Sequence, residues 1–228
     1  AAHVAGIGWQ DAATAPSYAG TVGQGRAVQA VRVSLSGPVS ERYDVWYRVH
    51  AAGYGWLGWA KDGEAAGTEG LGVQAEALQA VLVEKGGDAP STGDPAELSV
   101  PSLSLRAHVS GVGWQPAVGN GGTAGTTGQS RAVEAIAAEV SSPVSGGLSY
   151  SAHVSGVGWQ DEVSGGAVAG TTGQGRAVEC VKMRLTGDLS EYYDVWYRAH
   201  AQQLPLPRPA AWSVAAVRVA VVLVVVRR

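Results

Sequence analysis

The sequence predicts an all-β fold assembled from tandem repeats of roughly 45 residues. Three observations predict it: one motif recurs in register along the chain, apolar residues alternate with a period of two, and 33 glycines punctuate the runs.

The motif His-Val-x-Gly-x-Gly-Trp-Gln begins at His3, His108 and His153, with a looser form, His-Ala-Ala-Gly-Tyr-Gly-Trp, at His50. About a dozen residues after each Gly-Trp comes an Ala-Gly-Thr-x-Gly turn, at Gly20-Thr21, Gly67-Thr68, Gly125-Thr126 and Gly170-Thr171. The spacings agree between landmarks: 47 residues separate Trp9 from Trp56 and Gly20 from Gly67, then 58 and 45 separate the later pairs. All five histidines occupy one repeat position, with His200 opening a fifth copy that does not continue. The organisation read from this is repeat one over 1–50, repeat two over 51–87, a linker over 88–101, repeat three over 102–150, repeat four over 151–200, and a truncated fifth copy with a Pro/Val-rich tail over 201–228. The linker carries Gly86-Gly87-Asp88-Ala89-Pro90 and Pro95.

Within a repeat, Val31-Arg32-Val33-Ser34-Leu35 and Val181-Lys182-Met183-Arg184-Leu185 alternate apolar with polar residues, as a sheet with one buried face requires. Tyr43, Val45, Tyr47 and Val49 face one way in the next strand, and Asp44, Trp46, Arg48 and His50 the other. The Gly-Thr-x-Gly turns call for positive φ, which Gly adopts without steric cost. A unit of this size cannot bury both faces of its sheet alone, so copies must pack on each other. Repeats one and four resemble each other in type, ending at Asp44–Trp46 and Asp194–Trp196. A three-copy cycle of types suggests closure with pseudo-threefold symmetry, as in a β-prism or trefoil, which would hide sheet edges.

The tail breaks the motif where another Gly-Trp is due. Leu204-Pro205-Leu206-Pro207-Arg208-Pro209 leads to an apolar run from Val219 to Val226, too short to span a bilayer. By composition the run suits an extra strand, but its loss of the repeat pattern reads as an aberrant terminus. The chain opens in mid-pattern without a signal peptide, which reads as a fragment or a matured piece.

These landmarks resemble the ChW repeat family, the clostridial hydrophobic repeats with a signature Trp. The resemblance rests on Gly8-Trp9, Gly55-Trp56, Gly113-Trp114 and Gly158-Trp159, on the Ala-Gly-Thr-x-Gly turns, and on the strand from Arg131 to Ile136. It covers residues 3–203, with departures at Val73, where Arg is expected, and at Gln29, where Glu is expected. It implies an extracellular or cell-surface protein of Gram-positive bacteria, serving in adhesion, carbohydrate binding or macromolecular assembly.

Net charge is −3, without the basic patch that nucleic-acid binding calls for. No nucleophile elbow, catalytic triad or phosphate loop appears, so the chain reads as non-catalytic, with no cofactor. The histidines lack second ligands at metal spacing and read as structural. Cys180 is the one cysteine and reads as a small core residue.

Candidate ligand contacts are Trp46, Arg48 and His50 at i, i+2 and i+4 of one strand, their counterparts Trp196, Arg198 and His200, and the outward Trp59. The Gly-Trp residues Trp9, Trp56, Trp114 and Trp159 have two readings. An indole flanked by Gly can stack on a sugar, but a residue recurring once per copy more economically fills a core slot. Two functions follow: binding of a glycan or cell-wall polymer through exposed aromatics, or a scaffold contacting another surface protein, with no small ligand.

Overall fold

The computed structural model describes residues 1–90, 93–201 and 219–227, with backbone alone from residue 200 onward. The described residues form two compact units, Ala1–Val100 and Pro101–Arg228. No helix among them is long and apolar enough to cross a membrane.

The first unit begins with β1 (Ala2–Val4), β2 (Gly8–Trp9), β3 (Val28–Val31) and the single helical turn α1 (Val39–Arg42). The second copy follows as β4 (Tyr43–Ala51), β5 (Gly55–Trp56), β6 (Ala60–Lys61), β7 (Ala66–Glu69) and β8 (Ala75–Glu84), and β9 (Glu97–Ser99) ends the unit. The second unit runs β10 (Ser102–Val109), β11 (Gly113–Trp114), β12 (Thr123–Ala124) and β13 (Val133–Ser141). Its other copy is β14 (Gly147–Val154), β15 (Gly158–Trp159), β16 (Val163–Ser164), β17 (Ala169–Gly170) and β18 (Val178–Thr186). After α2 (Leu189–Tyr192) come β19 (Tyr193–Ala201) and β20 (Val219–Arg227).

Every copy uses one plan. Its first strand turns back into the two-residue Gly-Trp strand, placing His3, His50, His108 and His153 opposite Trp9, Trp56, Trp114 and Trp159. The other edge of that first strand pairs antiparallel with the last strand of the copy, and a bulge follows the His in all four. Such a recurring bulge re-aims neighbouring side chains without ending the pairing.

Copies join through the Ala-Gly-Thr segment. Ala30 on β3 lies opposite Gly67 on β7, and Ala135 on β13 opposite Gly170 on β17. The glycines are demanded twice over. Gly67 and Gly170 have φ of +124° and +121°, and a Cβ would sit 2.4 Å from the Gln29 carbonyl oxygen or 2.3 Å from that of Glu134. The turn chemistry read from sequence is therefore also a close approach of two backbones.

The alternation on β4 does what it predicts. Val45, Tyr47 and Val49 form a buried cluster with Ala60 and Ala66, and Val31, Val33 and Leu35 of the preceding copy pack against it. The phenol of Tyr47 donates to the Glu64 carbonyl, and that of Tyr150, its counterpart, donates to the Ala167 carbonyl while accepting the Ala138 N–H at 2.9 Å. Burial raises both tyrosine pKa values, keeping the phenols as donors.

Several boundaries shift from their sequence positions. The strand carrying His50 belongs to the sheet of the second copy, so a cut at 50/51 falls inside β4, and the cut at 150/151 falls inside β14. The 88–101 stretch is not a free linker. Its β9 pairs parallel with β7, Leu98 is wholly buried, and Gly58 donates its N–H to the Pro95 carbonyl at 2.9 Å. The first unit holds two copies, the second holds two copies and the β19–β20 pair, and a prism or trefoil closure is not shown. Val219–Arg227 is a strand that pairs with all nine residues of β19. The reason is visible in β19: it matches β4 at eight of nine positions, yet the repeat that would supply its partner strand stops. A Val-rich run fits the vacant place because its backbone supplies the ladder hydrogen bonds and β-branched side chains suit a pleated surface. The Pro-rich stretch 204–209 lies outside the described residues.

Candidate functional site

The Gly-Trp indoles are partly exposed and outside the buried core, which corrects their assignment to core slots. Trp56 is 39% and Trp159 43% exposed, and Trp9 and Trp114 are half-buried. Small apolar residues such as Val4, Ala30, Val109 and Val154 fill the interior instead. Each indole meets the edge of its cross-strand histidine, with ring centroids 5.4 to 5.5 Å apart and planes at 71° to 84°.

A cation covers each indole. Arg32 lies 4.1 Å from the Trp9 ring centroid, Arg48 4.8 Å from Trp56, Arg106 4.7 Å from Trp114, and Lys182 4.1 Å from Trp159. The cations do not come from one repeat position. Arg48 and Arg106 stand two residues before the His, on the first strand, whereas Lys182 stands on the last strand and Arg32 directly follows it. Their cross-strand partners are neutral in side chain: Gln79 faces Arg48, Ala137 faces Arg106, and Ser151 faces Lys182. Ala1 faces Arg32, exchanging backbone hydrogen bonds with it at 2.8 and 3.0 Å. One member of each pair is cationic, and either strand can supply it. The preserved object is the cation on the indole.

Three of the histidines have an acid one strand away, and it hydrogen-bonds His50 and His153. Nδ1 of His50, His108 and His153 lies 3.1 Å from a carboxylate oxygen of Glu76, Glu134 and Glu179 respectively. The first copy has Gln29 at this place. The Gln after Trp has a structural task as well: Gln10, Gln115 and Gln160 accept the backbone N–H of Gly20, Gly125 and Gly170. In the second copy Leu57 replaces that Gln and Val73 the turn Arg, and both are buried.

The second copy gathers the richest surface. Trp46, Arg48 and His50 lie on the outer face of β4, as their spacing predicts, and Trp59 joins them. Arg48 sits between two indoles, 4.8 Å from the Trp56 centroid and 4.7 Å from that of Trp59, and its Nε donates to Gln79 at 2.9 Å. Trp46 is half-buried beneath Lys61, whose Nζ is 5.4 Å from its ring. Lys61 and Lys85 grip the buried carboxylate of Asp44 at 2.6 and 2.5 Å and hold its pKa down at about 2. On β19 the counterparts spread out to solvent: Trp196 is 66% exposed and Arg198 is exposed, and the side chain of His200 lies outside the described residues.

In the first copy Trp9 donates its indole N–H to Glu69 at 3.1 Å. Burial, then the neighbouring charge of Glu69, raises the Glu97 pKa. Cys180 is exposed and faces His153 across the strands, which corrects its reading as a core residue. No group of three or more metal-binding side chains occurs among the described residues. The cations Arg32, Arg106 and Lys182 were missed in the sequence. Their signal was the register itself, since each lies two residues from the His–Trp rung on one strand or the other.

Architecture and surface together define a tandem β-repeat protein whose copies each present a cation-covered indole. The profile of the ChW family, Clostridial hydrophobic W, matches residues 3–37, 50–84, 108–141 and 153–187, and the chain belongs to that family. No curated protein and no solved structure matches it.

Proposed function

We propose that this chain is a non-catalytic extracellular or cell-surface protein that binds a glycan or cell-wall polymer through its outward aromatic faces. The supporting observation is the outer face of the second copy, where Trp56 and Trp59 flank Arg48 beside Trp46 and His50. Sugar rings offer C–H faces to indoles and hydroxyls to guanidinium and imidazole groups, so a surface with both kinds of group fits this class of ligand.

A second reading has its own support. The resident cations already occupy one face of four indoles, which is what a purely structural role would need. In that reading the chain is a scaffold contacting another surface protein.

Tryptophan fluorescence of the full chain, titrated with cell-wall and mucin-type glycans, separates them. A saturable shift lost in Trp46→Ala, Trp59→Ala or Trp196→Ala supports glycan binding. No response to any glycan, with acrylamide quenching unchanged, leaves the scaffold.

A further inference from the structure

One rule joins copies three times in this molecule. The Ala before the Gly-Thr turn sits opposite the same position of a last strand: Ala66 opposite Val31, Ala169 opposite Ile136, and Ala124 opposite Val221 of β20. The two strand pairs that carry β8 and β20 have matching register, since Val49 faces Leu78 and Ala199 faces Val221. Leu78 is therefore the fourth residue of this series, and Ala19 is the fourth Ala. Neither has a partner of this kind among the described residues.

Burial marks both as vacant. Ala66, Ala124 and Ala169 are buried, whereas Ala19 is exposed, and beside it Tyr18 is 83% and Val22 78% exposed. Ile136 is wholly buried, but Leu78 is 53% and Leu82 52% exposed. These two leucines lie on the core side of the sheet, opposite Val49 and Val45. The strand β18 also pairs with one strand only, yet its Val181 is 6% exposed because β19 packs against it. The first unit thus ends in two halves of one joint, an uncovered last strand and an unpaired Ala-Gly-Thr segment.

The halves match in their polar groups too. Glu134 accepts the N–H groups of Gly173 and Gly175 across the joint between the third and fourth copies. Glu76 holds the equivalent place beside β8's open edge, and Gly23 and Gly25 hold it after Ala19.

We propose that two copies of this chain associate head to tail, β8 of one pairing with Ala19–Gly20 of the other. Ala77 lies opposite Gly20, Leu78 opposite Ala19, and Glu76 accepts the N–H groups of Gly23 and Gly25. The contact is heterologous, so assembly continues into a ring or a filament according to the rotation at each step. It stands independently of glycan binding.

Sedimentation of the full chain over a concentration series tests it, with near-ultraviolet circular dichroism confirming that each variant is folded. The wild type gains mass with concentration. Leu78→Lys and Ala19→Lys each abolish the gain. An equal mixture of these two variants forms a dimer that grows no further, because each retains one intact half of the joint. Glu76→Gln weakens association by about tenfold, the loss expected of a charge-assisted acceptor. A wild type that stays monomeric overturns the proposal, as do single variants that assemble normally. A mixture that fails to dimerise also overturns it, replacing the head-to-tail joint with a symmetric one.

Discussion

Glu134 in the third repeat accepts a hydrogen bond from the backbone N–H of Gly173 in the fourth, at 2.8 Å. Its second oxygen accepts the N–H of Gly175 at 3.0 Å, and the carboxylate is 2% exposed. A buried carboxylate is costly unless its oxygens are satisfied, and here the Gly-Gln-Gly turn of the next copy satisfies them. The acid thus fastens the joint while lying 3.1 Å from His108 Nδ1.

Glu134→Gln keeps one carbonyl oxygen and aims an NH2 group at a backbone donor. Leaving that donor unpaired in a buried site costs about 1–3 kcal/mol. The second unit is expected to melt lower by several degrees in a calorimetric scan. Melting unchanged from wild type would show that the turn holds without the acid, as it does at Gln29 in the first copy.

Gly67→Ala tests the close approach directly. Its Cβ would sit 2.4 Å from the Gln29 carbonyl oxygen, so β3 and β7 must separate. Gly25 is the control, because it also has positive φ, +63°, with nothing within 4 Å of an added Cβ. Gly25→Ala costs about 1 kcal/mol through φ alone, and Gly67→Ala is expected to cost at least twice that in chemical denaturation. Equal losses would reduce Gly67 to an ordinary turn glycine.

The repeat, the strands and the outer face of β4 were legible because period-two alternation and a fixed motif are local signals. Trp46, Arg48 and His50 share a face for no reason beyond their spacing. The exposure of Trp56 and Trp159 was not legible, since a residue recurring once per copy looks alike in a core slot and on a surface. Burial there is decided by which strand roofs the sheet, and that depends on long-range register. The same limit hid β9: Leu98 is buried by pairing with β7, yet it sits in a Gly- and Pro-rich context that reads as a linker. The tail was legible in part: its composition suits a strand, but it shares nothing with the repeats that would name β19 as its partner.

Asp44 makes a prediction about pH. Lys61 and Lys85 lower its pKa from 3.8 to about 2 in the folded protein. Because the folded value is depressed, the carboxylate adds stability that is fully present above the ordinary pKa and lost as pH falls through about 2. Asp44→Asn is therefore expected to melt below wild type at pH 7, with the two curves converging between pH 4 and pH 2. A constant offset down to pH 2 would assign the loss to packing instead of charge.

The cation on each indole makes the sharpest test of what the repeats preserve. Lys182 lies 4.1 Å from the Trp159 centroid, and Ser151 stands opposite it. Lys182→Ala is expected to raise the acrylamide quenching of Trp159, read by difference against Trp159→Phe, while costing about 0.5–1 kcal/mol in stability. Adding Ser151→Arg should restore both, because Arg48 and Arg106 cover their indoles from that same first-strand position. If the double variant stays as quenchable as Lys182→Ala, the two cross-strand positions are not interchangeable. The alternation of Arg32, Arg48, Arg106 and Lys182 between strands would then be an accident of sequence rather than a conserved cover.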